Sequence, residues 1–360
     1  MVVEVMKKIL FIINSLSMGG AERVVALLAK EMASKENEVY IICFDDGSVY
    51  NLPNKVKVIL LDGNKKYPWH ILKNKYNLEK TISSLERQGK FDLITVHLFY
   101  SHLITSLSRY KNRATYVMHS VYSRKFKKNI LYKLLLKFIY KNRNIVTVSE
   151  GLKYELINYW NLKGDKDIVV INNPIDIAYI KEKALEKNQF EEKYIISAGR
   201  LTEAKRFNLL IRAYLQSNIK NEYKLIILGE GEERQKLSQL ISSLNGEDYV
   251  FLKGWEDNPF KWIRNASLYV CTSRYECFPM ILLESLCCKT SIVSFDCDYG
   301  PREILQGELK KFLVEDGCID DLIKAIEEAV KEYPYIGEEY YSHYNVGNIA
   351  NLYLQYNSDV

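Results

Sequence analysis

KILFIINSLSMGGAERVVALLAKEMASKENEVYIICF, residues 8–44, is the stretch whose reading decides the fold. Lys8 to Asn14 reads as a buried strand around the apolar run Ile9 to Ile13. Ala21 to Ala33 repeats apolar residues at three- and four-residue spacing, as an amphipathic helix does, and Glu38 to Phe44 reads as the next strand. A strand, a helix and a second strand in that order form a βαβ unit, the building block of a parallel sheet. Lys7-Lys8 before Ile9 to Ile13 imitates a signal peptide, but the apolar run breaks at Asn14 and Gly19-Gly20.

Outward from this unit the alternation continues. Phe91 to Val96, Ala114 to Met118, Asn144 to Val148 and Ile168 to Ile171 read as further strands, followed by the turn-rich Asn172-Asn173-Pro174-Ile175-Asp176, suited to a hinge. A second series follows, with strands at Tyr194 to Ala198, Lys224 to Leu228, Tyr249 to Leu252, Leu268 to Thr272 and Ser291 to Phe295. Helices are expected near 207–216, 231–244, 259–265, 279–288 and 320–332, and the tail from Asn345 to Tyr356 is weakly helical. The fold class is α/β: two doubly wound domains in tandem, residues 1–172 and 173–340, with a C-terminal helix in 341–360 expected to pack back on the first domain.

The 360 residues are 48% hydrophobic and 26% charged, as in a soluble globular protein. The net charge of +5 is unevenly placed: residues 1–180 carry 28 Lys and Arg against 16 Asp and Glu, and residues 181–360 carry 22 against 29. The basic half suits phosphates, an anionic membrane or nucleic acid, whereas the acidic half argues against a uniform nucleic-acid surface. The seven cysteines form no CxxC pair and read as reduced core thiols of a cytosolic protein. No run reaches the ~18 apolar residues of a membrane span.

The motifs fall where such sheets bind ligands, beyond the carboxyl ends of strands. In SRYECFPMILLESL, residues 273–286, Glu276 sits in a loop after a strand and Glu284 in the helix opened by Pro279, so carboxylates for hydroxyls stand beside helix-start amides for phosphate. Gly199-Arg200-Leu201-Thr202-Glu203-Ala204-Lys205 is a strand-to-helix turn in which Arg200 can fork two phosphate oxygens and Lys205 can add a point charge. Gly19 and Gly20 allow a ligand to approach the backbone or simply make a tight turn. Neither they nor Gly229-Glu230-Gly231 have the spacing of a dinucleotide-binding loop, which disfavours NAD. His119 ends a strand at the binding edge; His70, His97, His102 and His343 read as structural. Asp296 and Asp298 also read as structural rather than as metal ligands. Residues 121–149 hold Arg124, Lys125, Lys127, Lys128, Lys133, Lys137, Lys141 and Arg143 without an acid, and apolar residues at helical spacing. This is either a basic helix lying on anionic lipid or an ordinary helix with a buried apolar face.

Together these segments resemble the retaining glycosyltransferases of family 4: MGGAERV, YVMHS, VSEGL, NNPID, SAGRLTEAKR, ILGEGEER, FLKGW, and the E-x7-E segment followed by GPREIL cover nearly the whole chain. The resemblance implies the GT-B fold, two facing Rossmann-like domains with a cleft between them that closes about the hinge. It implies a nucleotide-sugar donor, UDP-linked in preference to GDP-linked, held by the second domain, and an acceptor held by the first. Arg200 and Lys205 would contact the diphosphate, Glu284 the ribose, and Glu276 and His119 the transferred sugar. The amides of Phe278, Met280 and Ile281 would touch sugar or phosphate, Gly19 and Gly20 the phosphates, and Gly254 and Trp255 the base. No cofactor or metal is implied, and the product would be α-linked. A covalent route through Glu276 stays open at this stage. The acceptor suggested is a glycan on polyprenyl diphosphate, or a surface polysaccharide such as lipopolysaccharide, O-antigen or capsule. It would be reached by a bacterial cytoplasmic enzyme peripheral on the inner membrane. The rival readings are a noncatalytic donor-binding subunit and a soluble GT-B enzyme acting on a small metabolite.

Overall fold

The computed structural model describes residues 6–17, 19–47, 50–61, 69–120, 130–162 and 168–356. It contains two compact units, Met1–Pro174 with Tyr344–Val360, and Ile175–His343.

The first unit runs β1 (Lys8–Ile13), α1 (Gly20–Ser34), β2 (Glu38–Cys43), β3 (Val56–Leu60), α2 (Trp69–Leu85), β4 (Leu93–His97), α3 (Phe99–Leu107), β5 (Thr115–Met118), α4 (Ile130–Tyr140), β6 (Asn144–Thr147), α5 (Glu150–Tyr154) and β7 (Ile168–Val170). Its seven strands are all parallel, in the order β3-β2-β1-β4-β5-β6-β7. Every residue of β1 is buried, which explains its continuous apolar run: helices cover both faces of a parallel sheet. The strand order reverses between β1 and β4, so their carboxyl ends flank the crevice where such sheets bind ligands.

Three elements of this unit carry little periodic signal. β3 is an edge strand with only Val56 fully buried, and Lys57 reaches across to Glu38 at 3.1 Å. α2 buries a thin line, Asn74, Leu78 and Ile82. α3 begins directly after Leu98, whose φ of 70° is one that L side chains rarely adopt. The C-terminal helix Val346–Tyr356 packs on α1, where Lys35 Nζ donates to Asn351 Oδ1 at 2.8 Å and Lys7 Nζ to the carbonyl of Leu354 at 3.3 Å.

In the second unit α6 (Ile177–Ala184) precedes β8 (Tyr194–Ala198), α7 (Phe207–Gln216), β9 (Lys224–Leu228), α8 (Arg234–Ser243), β10 (Val250–Gly254), α9 (Phe260–Asn265) and β11 (Leu268–Cys271). Then come β12 (Tyr275–Glu276), α10 (Met280–Cys287), β13 (Ile292–Phe295), β14 (Asp298–Tyr299), α11 (Pro301–Ile304), β15 (Leu313–Val314) and α12 (Ile319–Ala329). The main sheet is again parallel, β10-β9-β8-β11-β13-β15, and its order reverses between β8 and β11. Its core, which includes Leu210, Ile211, Leu225, Ile227 and Leu322, is closed to solvent. Truncating one such leucine to alanine is expected to cost about 2–5 kcal/mol.

Among the described residues no helix is long and apolar enough to cross a membrane. All seven cysteines are free, and five of them, Cys43, Cys271, Cys287, Cys288 and Cys297, are buried. Burial pushes the Cys43 thiol up to about 12, so it packs as a neutral apolar group.

Candidate active site

The carboxyl edge of the second sheet gathers four loops. Ala198 pairs with Leu228, and Leu228 with Gly254, which brings the turns after β8, β9 and β10 side by side. The backbone there is too close for side chains. Gly229 has a φ of 131°, and a Cβ on it would lie 2.0 Å from the carbonyl oxygen of Gly199; one on Gly231 would lie 2.3 Å from that of Leu201. The glycines of the GEGEER segment therefore let the loops after β8 and β9 stack. Gly254 (φ 84°) accepts from the Gly229 amide at 2.7 Å, and Trp255 beside it is exposed and donates to Asp257 at 2.9 Å.

Arg200 lies exposed at the mouth of this edge. Lys205 does not enter a helix directly: a short 3-10 turn, Glu203–Lys205, and a left-handed Arg206 (φ 49°) separate the loop from α7. That detour carries Lys205 to Glu276. The two side chains meet at 2.5 Å, and Ser273 donates to the same Glu276 oxygen at 2.8 Å. Burial works against the charged ammonium, but the Glu276 carboxylate outweighs it and holds Lys205 above the ordinary lysine range. Glu276 is itself fixed by the small β12–β14 sheet, where its carbonyl accepts from the Gly300 amide at 3.1 Å.

Arg206 carries no sequence assignment, yet it clamps the neighbouring strand end, donating to the carbonyls of Thr272 at 2.9 Å and Ser273 at 2.8 Å and pairing with Asp316. Its only signal was its place beside Lys205. Pro279 caps α10, so the amides of Met280 and Ile281 belong to the first turn of that helix; Phe278 is buried just before it, and Glu284 is buried within it at 1% exposure. Asp296 engages Arg302 at 2.9 Å.

In the first unit the ends of β4 and β5 carry histidines in place of an ion pair, and the carboxylates Asp45 and Asp46 stand after β2. His119 follows β5, and its Nε2 lies 2.9 Å from Nδ1 of His97, the last residue of β4; His97 Nε2 lies 3.1 Å from Thr95 Oγ1. The two rings stack at 5.2 Å. Burial, with His102 nearby, lowers His119 to about 3, and burial with the other two histidines lowers His97 well below the usual range. His97 is thus the direct neighbour of His119. The signal available in the sequence was that both end adjacent strands. His102 has the structural role read for it, between Tyr140 OH at 2.9 Å and the Val96 carbonyl at 2.8 Å.

Gly19 and Gly20 open α1 without any backbone requirement for glycine. Gly19 is extended at φ −154°. A Cβ on Gly20 would meet open space, and one on Gly19 only the movable Glu22 carboxylate. The tight-turn explanation of these glycines therefore lacks a steric basis within this unit. Of the basic segment, Lys133 and Lys137 lie half-buried on α4 and Lys141 exposed just after it; Arg124, Lys125, Lys127 and Lys128 fall outside the described residues.

This geometry agrees with known proteins. Residues 18–179 match the description Glycosyltransferase Family 4, and residues 180–343 match Glycosyl transferases group 1. The chain is 32% identical over 320 residues, 86% of each sequence, to N-acetylgalactosamine-N,N'-diacetylbacillosaminyl-diphospho-undecaprenol 4-alpha-N-acetylgalactosaminyltransferase of Campylobacter jejuni. Its fold superposes on Anabaena HepE, solved with UDP, with a TM-score of 0.78 at 17% identity, covering 98% of this chain and all (100%) of that one. The lipopolysaccharide outer core galactosyltransferase WaaB gives 0.73 at 22% identity, with 98% and 100% coverage. Two parallel-sheet Rossmann-like units, each with a ligand-type carboxyl edge, and a relative matched along most of its length lead to one assignment: the chain belongs to glycosyltransferase family 4 and is a glycosyltransferase of the GT-B fold.

Proposed function

We propose that this glycosyltransferase moves an N-acetylhexosamine or hexose from a UDP-sugar to a glycan carried on polyprenyl diphosphate, with retention at the anomeric carbon and without a metal. The observation that carries the reading is the Lys205–Glu276 pair at 2.5 Å beside the first turn of α10. A cation held protonated by a carboxylate suits a reaction that expels a diphosphate, because charge grows on the leaving oxygen as the bond to the sugar breaks. Arg200 can add a planar fork to the same diphosphate, and the α10 amides of Met280 and Ile281, with that of Phe278, a partial positive charge. Glu276 is assigned to hydroxyls of the transferred sugar, Glu284 to the ribose, and Gly254 and Trp255 to the base. Gly19 and Gly20 are assigned to the donor phosphates.

In this scheme the bond from the anomeric carbon to the phosphate oxygen breaks and the acceptor hydroxyl bonds to the same face of that carbon. The acceptor's proton passes to an oxygen of the departing diphosphate. His119, neutral at physiological pH, would exchange hydrogen bonds with the sugar rather than supply charge. UDP is favoured over GDP by the HepE complex, and the relative's name supports both the α linkage and the diphospho-undecaprenol carrier. Such an acceptor places the enzyme on the cytoplasmic face of the inner membrane, with the lysines of α4 toward anionic lipid.

The test is transfer from labelled UDP-sugars to a short-chain polyprenyl-diphosphate glycan in excess EDTA, with the product's anomeric configuration read by NMR. Turnover to an α-linked product is expected. A β-linked product or strict metal dependence overturns the mechanism, and donor binding without transfer overturns the enzyme reading.

A further inference from the structure

A line of hydrogen-bonding atoms runs from the core of the first unit to its carboxyl edge. Thr95 and His97 stand two residues apart on β4 and therefore share one face of the sheet. Both are closed to solvent, and Phe11 of β1 packs on the His97 ring at 6.1 Å. Thr95 Oγ1 lies 3.1 Å from His97 Nε2, and His97 Nδ1 lies 2.9 Å from His119 Nε2. His119 is half-buried where β5 ends, and its Nδ1 makes no hydrogen bond among the described residues.

His97 and His119 are both held neutral. A neutral imidazole has one donor and one acceptor nitrogen, so a line of two such rings has only two polarities. In the first, the Thr95 hydroxyl donates to His97 Nε2, His97 Nδ1 donates to His119 Nε2, and His119 Nδ1 carries a proton outward. In the second, every bond is reversed and His119 Nδ1 becomes an acceptor. That reversal strands the Thr95 hydroxyl proton in the core, where Thr95 is 0% exposed. Among the described residues His97 is the only partner of Thr95 Oγ1, and Thr115, opposite Thr95 on β5, has a buried hydroxyl that itself lacks one. A buried donor left unpaired costs more than a lone pair left unused, so the first polarity prevails. The neighbouring His102 is fixed independently: the Val96 carbonyl only accepts, which keeps the His102 proton on Nε2 and leaves Nδ1 to accept from Tyr140.

We infer that Thr95 and His97 are positioning residues that fix the tautomer of His119, so that its Nδ1 meets the bound ligand as a hydrogen-bond donor. The inference rests on the sugar contact proposed above for His119 and deepens it by giving that contact a direction. The ligand atom is then an acceptor: a hydroxyl oxygen of the transferred sugar, with its own proton turned away. An imidazole free to change tautomer would offer a lone pair in part of its population, and a sugar bound to that part would hold its hydroxyl the other way round. A fixed proton removes the unproductive fraction before the donor arrives. Neither Thr95 nor His97 touches the sugar in this scheme; both act through the His119 ring.

Proton–nitrogen NMR spectra of the full chain, with nitrogen-15 in its five histidines, read the tautomer directly, and His119→Ala assigns the signal. Without substrate, wild-type His119 is expected to be protonated at Nδ1 and bare at Nε2. Thr95→Val removes the hydroxyl at nearly constant shape and should move a large part of the His119 population to the Nε2-protonated form, and Thr95→Ser should restore the wild-type signal. A wild-type His119 protonated at Nε2, or an unchanged signal in Thr95→Val, overturns the inference. Transfer kinetics supply a readout that a merely structural role would not move. Thr95→Val is expected to lower kcat/KM roughly fivefold and Thr95→Ser to recover it, while Thr95→Val/His119→Ala should be no slower than His119→Ala alone. A cooperative melting transition verifies that each variant is folded. Losses that multiply in the double variant, or full activity in Thr95→Val, defeat the inference. Because the spectra need no substrate, the two proposals fail separately: a wild type with the expected tautomer and no transfer defeats the proposed reaction, whereas transfer with the opposite tautomer defeats only the fixed proton.

Discussion

The carboxyl edges of the two sheets share a topology and differ in chemistry. In the second unit the edge is ionic: Lys205 meets Glu276 at 2.5 Å, Arg206 clamps the strand end, and Arg200 stands exposed beside them. In the first unit the ends of β4 and β5 instead carry His97 and His119, stacked and held uncharged, with exposed apolar side chains on the neighbouring helices. In the proposed reaction, the same parallel wiring would offer one surface to a charged leaving group and another to sugar hydroxyls. Four of the five histidines lie in the first unit, and the second contains only His343.

This contrast predicts a graded set of effects. Lys205→Met should be the most damaging: losing a charge at the leaving diphosphate is expected to reduce kcat about 10²–10³-fold, with Glu276 left half-buried beside an apolar neighbour. Equal kcat in wild type and variant would remove the ionic edge from the chemistry. Gly229→Ala should disturb the same edge through the backbone, because a Cβ there meets the Gly199 carbonyl; the expected loss of stability is roughly 1–3 kcal/mol, read by urea unfolding.

His119→Ala, by contrast, removes one neutral hydrogen-bonding group and should reduce kcat/KM only about tenfold. A loss as large as that of Lys205→Met would mean that His119 works as a cation after all.

The histidine-bearing edge should also be the acid-sensitive one. His119 is lowered to about 3 and His102 to about 4, both below the ordinary 6.5. The unfolded chain therefore takes up protons first as the pH falls. Stability present above about 6.5 is lost between that value and each folded value, at roughly 1.4 kcal/mol per pH unit for each histidine. Urea titrations at about pH 7 and about pH 5, read in single-tryptophan variants at Trp160 and Trp262, should show the larger decline in the first unit; equal declines would break the comparison. Lys205 has the opposite sign. Its raised folded value means that the pair's contribution is complete below the ordinary lysine range and lost only as the pH rises through the folded value. The smallest effect belongs to Arg302→Ala, which opens the solvent-exposed pair with Asp296 and should change stability by no more than about 0.5 kcal/mol.

Much of the fold was legible because buried parallel strands are written as apolar runs. Tyr194–Ala198 and Lys224–Leu228 appear with the bounds read from sequence, and α7 covers 207–216 as expected. β3, α2 and α3 were missed for the converse reason, since an edge strand with one buried residue and helices with thin inner lines show little period. The E-x7-E and GRLTEAK segments were likewise readable as residue types suited to a phosphorylated sugar, but Arg206, Ser273 and His97 were not. Each acts through a neighbour brought close by the chain's path.

By itself, then, the sequence determined the alternation of strands and helices, the family, and which charged residues stand at strand ends, because these depend on local spacing. The tertiary structure alone decided that Lys205 reaches Glu276, that His97 holds His119, and that α4 turns a second apolar stripe to solvent. These depend on which strands lie side by side and which helix face the sheet covers, and a periodic pattern along one segment carries no information about its neighbours.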